Sequence, residues 1–268
     1  MLPSSKVVKD TARISLKGRW APSIAVVSIF ICAFLFLTIL LSFIFSFLQN
    51  ATLSGTFLSL FTAIISWLIM VPLAMGGVRW FWFSAIDKEI AVSEVFYYYS
   101  SPQLLARSVY FVAQFFLRTV FYAIFCFLPL SIMEVLQDSS FYEALELESG
   151  MPMILPVLWP LEYLFLIAGV VLLLFATAKY SLAPVAFVMA EEIPVSDTFS
   201  ISVSVLKGNA SYCVGMMFSF IGWIILSFSG VALIYTAPFI LMSYCTFARF
   251  SISNHRITCA KMGIKSVI

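Results

Sequence analysis

Six runs of the chain, Ala21–Leu48, Phe57–Trp80, Leu105–Ile132, Leu155–Thr177, Tyr212–Phe228 and Val231–Phe250, are apolar for about the length a membrane crossing demands. A helix rising about 1.5 Å per residue needs roughly 20 apolar residues to cross a hydrocarbon core of about 30 Å. The composition leaves no soluble alternative. Of 268 residues 62% are hydrophobic and 10% charged, against about a quarter charged in water-soluble domains. The runs are spread over residues 1–268, so the expected architecture is all-α: one polytopic transmembrane bundle of six spans with short amphipathic helices between them. The first run far exceeds a signal-peptide core and ends in no small-residue cleavage site. Pro72 with Gly76 and Gly77 should kink the second span, and Pro156, Pro160 and Pro184 should bend or bound the fourth.

Basic residues set the expected orientation. Lys6, Lys9, Arg13, Lys17 and Arg19 precede the first span, Arg79, Lys88 and Arg107 bracket the second loop, and Lys179 and Lys207 flank the fourth. Arg249, Arg256, Lys261 and Lys265 follow the last span. The first loop is uncharged, the third carries only Glu134, Asp138, Glu143, Glu146 and Glu148, and the fifth is the neutral Ser229-Gly230 turn. Cations on alternate loops put both termini in the cytoplasm of a bacterial inner or plasma membrane protein.

Residues 1–20 read as a basic interfacial helix. Lys6, Lys9, Arg13 and Lys17 recur at three- and four-residue spacing as one stripe, with Val8, Ala12 and Leu16 beside it. Such a stripe suits contact with the anionic cytoplasmic leaflet; equally, the charges need do no more than set orientation. Ser139–Ser149 suggests a short acidic helix or a solvated loop. Deep in the bilayer, Arg118 and Glu162 fall at similar depths on consecutive spans when counted from Arg107 and Leu155, and they are expected to form an intramembrane ion pair.

Glu89-Ile-Ala-Val-Ser-Glu-Val-Phe96 after the second span matches Glu192-Ile-Pro-Val-Ser-Asp-Thr-Phe199 after the fourth. In each, Ser93 or Ser196 is placed to N-cap a short helix with an acidic residue in its first turn. Residues 57–132 and 155–228 are therefore expected to be two parallel span–helix–span repeats.

Leu16-Lys-Gly-Arg-Trp20, Pro72-Leu with Gly76, Tyr180-Ser-Leu-Ala-Pro184, Leu206-Lys-Gly208, Ser219-Phe-Ile-Gly-Trp223 and Ala237-Pro238 together carry a family likeness. The chain resembles the bacterial integral membrane family known as domain of unknown function nine-seventy-five, itself distantly similar to membrane domains accompanying some glycerophosphodiester phosphodiesterases. The resemblance implies no activity, substrate or cofactor. Its acidic third loop is longer than the pattern, and Asn209-Ala-Ser-Tyr212 delays an aromatic residue that the pattern places sooner.

Among function classes, an enzyme has the least support. His255 is the only histidine, and no HExxH, GxSxG, P-loop or dinucleotide motif occurs. The cysteines, Cys32, Cys126, Cys213, Cys245 and Cys259, are scattered without CxxC spacing, so no metal, haem or other cofactor site is expected. A net charge of +2 gives no reason to expect nucleic-acid binding. A small-solute or ion transporter, or an accessory subunit of one, has only Arg118, Glu162 and the Pro72–Gly77 break as candidate parts. A non-catalytic lipid-facing, partner-binding or scaffolding component fits best. The orientation has a direct test: a cysteine placed at Ser140 should react with an impermeant thiol reagent in intact cells, and one at Ser253 should not. Reversed labelling would invert the topology.

Overall fold

The computed structural model describes residues 3–48, 55–137 and 151–261; the acidic segment Ser139–Ser149 lies outside them. Those residues fold into helices α1 (Ser5–Leu16), α2 (Trp20–Leu48), α3 (Gly55–Ala85), a 3₁₀ helix (Val92–Tyr99), α4 (Pro102–Gln137) and α5 (Met151–Ala178). Then come α6 (Ala183–Met189), α7 (Val195–Leu206), α8 (Ala210–Phe218), α9 (Ile221–Ser227) and α10 (Leu233–Lys261). Among the described residues six segments are long and apolar enough to cross a membrane, the fifth being α8 and α9 together. The chain is thus an all-α, multi-pass membrane protein.

Packing is uneven along the bundle. Large apolar side chains of α2, α4, α5 and α9, such as Phe36, Phe116, Leu164 and Ile225, point outward. Lipid is as apolar as they are, so nothing drives them inward. The buried core instead gathers at the end of the bundle that carries the basic loops, hereafter the basic end. There α1, the 3₁₀ helix, α6 and α7 pack against the ends of α3, α4 and α10 around Trp80, Phe81, Tyr98, Phe111, Phe187, Phe199 and Phe247. Phe111 stacks on Phe199 at 5.2 Å and meets Phe187 at 4.5 Å, which joins α4 to α7 and α6.

The two matched segments both lie in connections at this end, and their helices begin at equivalent residues, Val92 and Val195. The first turn closes from Glu94 N–H to the Ala91 carbonyl in one, and from Asp197 N–H to the Pro194 carbonyl in the other. Ser93 and Ser196 therefore do not cap. Each stands one residue inside its helix, neither helix has a side-chain cap, and Ser196 donates to Asp197 at 3.2 Å instead. The shift has a physical source: the extended Ala91 and Pro194 take the cap position, Pro194 being held there by its ring. The segments also diverge, since one is 3₁₀ and the other α, and Phe96 is exposed where Phe199 is buried.

Pro72 lies inside an uninterrupted α3 rather than at a break. Gly76 has another role. A Cβ there would stand 1.8 Å from the Val95 carbonyl oxygen, so the bare backbone lets the 3₁₀ helix seat directly on α3. At Gly77 a Cβ would meet nothing within 4 Å. Gly76→Ala should accordingly lower stability by about 1–3 kcal/mol or more, as overpacking does. Gly77→Ala should be neutral or stabilising by roughly 0.5–1 kcal/mol. Thermal unfolding of the two variants in one detergent checks the contrast; equal melting temperatures would refute the seating.

Candidate functional site

The N-terminal helix forms where the stripe pattern places it, but it does not lie free. Val8, Ala12 and Leu16 are completely buried, packed chiefly against α10. Gly18 turns the chain in the left-handed region at φ 86° and sends it into α2. Between α1, the start of α2, α9 and α10 lies a groove of about 480 Å³, lined by Arg13, Ile14, Lys17, Trp20, Trp223, Tyr235 and Phe239. Its walls are almost wholly apolar and its two charged side chains are both cations. Arg13 stands 5.4 Å from the Phe239 ring centre and keeps a loose, exposed contact with Asp10 at 3.6 Å.

The four stripe cations have different fates. Lys6, Arg13 and Lys17 are exposed, whereas Lys9 is half-buried. Its Nζ lies 4.5 Å from the Phe220 ring centre and donates to the Ser219 carbonyl at 2.7 Å, where the helical ladder is interrupted between α8 and α9. Burial, with Arg13 nearby, holds the Lys9 ammonium below the usual lysine range. Lys9 is thus a structural donor to a broken helix, and the other three remain available to a ligand.

A second polar cluster ties the two matched connections together. Arg79 of α3 is only 13% exposed; its guanidinium lies 3.6 Å from the Tyr97 ring centre, reaches Glu94 at 3.4 Å and pairs closely with Glu191. Tyr97 donates to the other Glu191 oxygen at 2.9 Å, and burial together with that bond raises its phenol above the usual tyrosine range. Arg107 of α4 donates to the carbonyls of Ala190 and Ile193 at 2.7 and 3.0 Å. In the sequence Arg79 and Arg107 read only as loop charges, and no motif marks Glu191 or Tyr97. The available signal was Arg79 itself, a permanent cation within an apolar helix that needs nearby acids.

The expected pair of Arg118 and Glu162 is not formed. At the α4–α5 seam a Cβ on Gly169 would touch Phe127 and the Cys126 carbonyl, which fixes the register of the two helices. Glu162 lies seven residues from Gly169 one way and Arg118 nine from Phe127 the other, so about 24 Å separates their levels at 1.5 Å per residue. Depths counted helix by helix fail because the two helices are not flush: with Gly169 against Phe127, Arg118 comes level with Ala178, the last residue of α5, and the start of α4 from Pro102 runs past that end. Arg118 instead lies over Phe199, 3.8 Å from its ring centre.

Residues 1–254 match the model of the family described as "Protein of unknown function (DUF975)", and the chain belongs to that family. No curated protein and no solved structure matches it.

Removing the Arg79 cation leaves Glu94 and Glu191 facing each other's connection without their shared partner. Arg79→Gln should lower stability by about 1–3 kcal/mol, the range for losing charged hydrogen bonds at a part-buried site. Arg249→Gln, at a more exposed pair, should cost no more than about 1 kcal/mol. Melting curves of the two variants, read side by side, test the ranking.

Proposed function

We propose that this member of the DUF975 family is a non-catalytic, lipid-associated component of a bacterial cell membrane, both termini cytoplasmic, that holds an anionic phospholipid against α1. The groove carries the reading. Arg13 and Lys17 stand at its rim for a phosphate, and Ile14, Trp223 and Phe239 offer an apolar wall for an acyl chain. Trp20 and Tyr235 suit the headgroup level. Exposed Lys6 extends the basic surface, at about 1 kcal/mol per cation near an anionic leaflet. Packing α1 onto α10 adds to the case, because a cation pair held on a rigid helix is positioned before the lipid arrives.

A transporter has less support from the same geometry. Pro72–Gly77 is continuous helix seated under the 3₁₀ helix, and Arg118 and Glu162 stand at different levels. A scaffolding role for a protein partner is compatible with the groove, since the bound lipid would form part of the presented surface.

Full-length protein in detergent, titrated with phospholipid carrying brominated acyl chains, tests the proposal through quenching of Trp20 and Trp223. Anionic phosphatidylglycerol should quench at concentrations at least several-fold below phosphatidylcholine. The preference should disappear in the Arg13→Gln/Lys17→Gln double variant and fade at high salt, where the screening length falls to a few ångströms. Lys9→Gln should preserve the preference while lowering stability. Equal quenching by both headgroups would overturn the reading.

A further inference from the structure

Two cations stand at the α4–α5 seam, apart from the groove, and neither meets an acid among the described residues. Arg118 lies over the Phe199 ring and 5.7 Å from the centre of Tyr180, and its Nη1 is buried without a hydrogen-bond partner. Lys179 approaches the same Tyr180 ring at 5.1 Å and donates to the Tyr122 hydroxyl at 2.8 Å. Tyr122 and Tyr180 face each other with ring centres 6.2 Å apart, so the four side chains share one locus. Among the described residues, no carboxylate comes within ion-pair distance of Arg118 or Lys179. Aromatic faces attract a cation without neutralising it, and a guanidinium carrying buried N–H groups in apolar surroundings calls for an anion.

The locus is also held rigid. Ser202 of α7 donates to the Lys179 carbonyl at 2.7 Å and accepts from the Leu182 N–H at 3.1 Å. Tyr244 of α10 donates to the Ser181 carbonyl, so the turn bearing Lys179 and Tyr180 is clamped from two helices.

We propose that Arg118, Lys179 and Tyr122 form a binding site for a phosphate oxyanion, supplied either by a phospholipid headgroup entering from the bilayer or by free phosphate. The chemistry of the set is suited to it. The guanidinium can fork onto two phosphate oxygens, the ammonium keeps an N–H donor beyond its bonds to Tyr122 and Tyr180, and the Tyr122 O–H, accepting from Lys179, remains free to donate. A carboxylate has only two oxygens to offer three donor side chains, whereas a phosphate has enough for the fork and for Lys179 and Tyr122 together.

The site lies on α4, α5 and α7, so it stands or falls independently of the groove on α1. Full-length protein carrying Arg13→Gln and Lys17→Gln, in non-ionic detergent, is titrated by calorimetry with inorganic phosphate and, separately, with dihexanoyl phosphatidylglycerol. Saturable binding of at least one probe is expected, weakened at least tenfold by Arg118→Gln and by Lys179→Gln. Arg118→Lys, which keeps the charge and loses the fork, should weaken it less than Arg118→Gln. Binding of phosphate identifies the free anion as sufficient; binding of the lipid alone identifies a headgroup site. Should Arg118→Gln fail to give a monodisperse protein, Lys179→Gln alone supplies the comparison. Absence of saturable binding by both probes, or affinities unchanged in a folded Lys179→Gln, would overturn the proposal.

Discussion

The packed end of this protein depends on one guanidinium. Arg79 stacks on Tyr97 and holds Glu94 and Glu191, one from each of the two matched connections. Lipid-facing helices gain little from burying apolar surface against one another, so the bundle needs a polar tie to choose a particular arrangement. Arg79 provides it where the surroundings are dry enough to strengthen the pairing and where three partners satisfy the cation. The 3₁₀ helix then seats on Gly76, Tyr98 is buried beside Phe187, and α7 closes over Phe111.

What could be read in the chain beforehand follows from which forces are local. The six spans and α1 are set by apolar length and by the spacing of Val8, Ala12 and Leu16, all properties of contiguous residues. The groove was half legible. Arg13, Lys17 and Trp20 were singled out, but Trp223, Tyr235 and Phe239 reach them only because α1 packs on α10. The seam between α4 and α5 was not legible. Its register rests on one glycine–aromatic contact, Gly169 on Phe127, and depths counted from Arg107 and Leu155 make Arg118 and Glu162 level when about 24 Å separates them. The serine caps failed for a smaller reason: a one-residue difference in where a helix begins changes which side chain meets the free N–H groups.

Lys9 shows how a membrane protein can break a span without leaving the backbone unsatisfied. The ladder between α8 and α9 is interrupted at Ser219, and an ammonium from another helix takes up the freed carbonyl. In lipid that carbonyl has no water to turn to, so the break and the lysine are two parts of one feature. A similar economy appears where α3 ends. Arg19 and Arg249 donate to the carbonyls of Ser84 and Ala85 and flank Asp87, whose φ of 60° lets the chain leave the helix there.

The burial of α1 against α10 bears on how the protein is made. Val8, Ala12 and Leu16 are synthesised first, while the face that covers them comes from the last helix. Until α10 is made the first helix lacks the main surface it packs on, and its basic, amphipathic character suits it to wait on the membrane. Contacts this distant in sequence form late. Docking of α1 thus reports that α10 is in place: without α10 the Val8, Ala12 and Leu16 stripe loses its main cover.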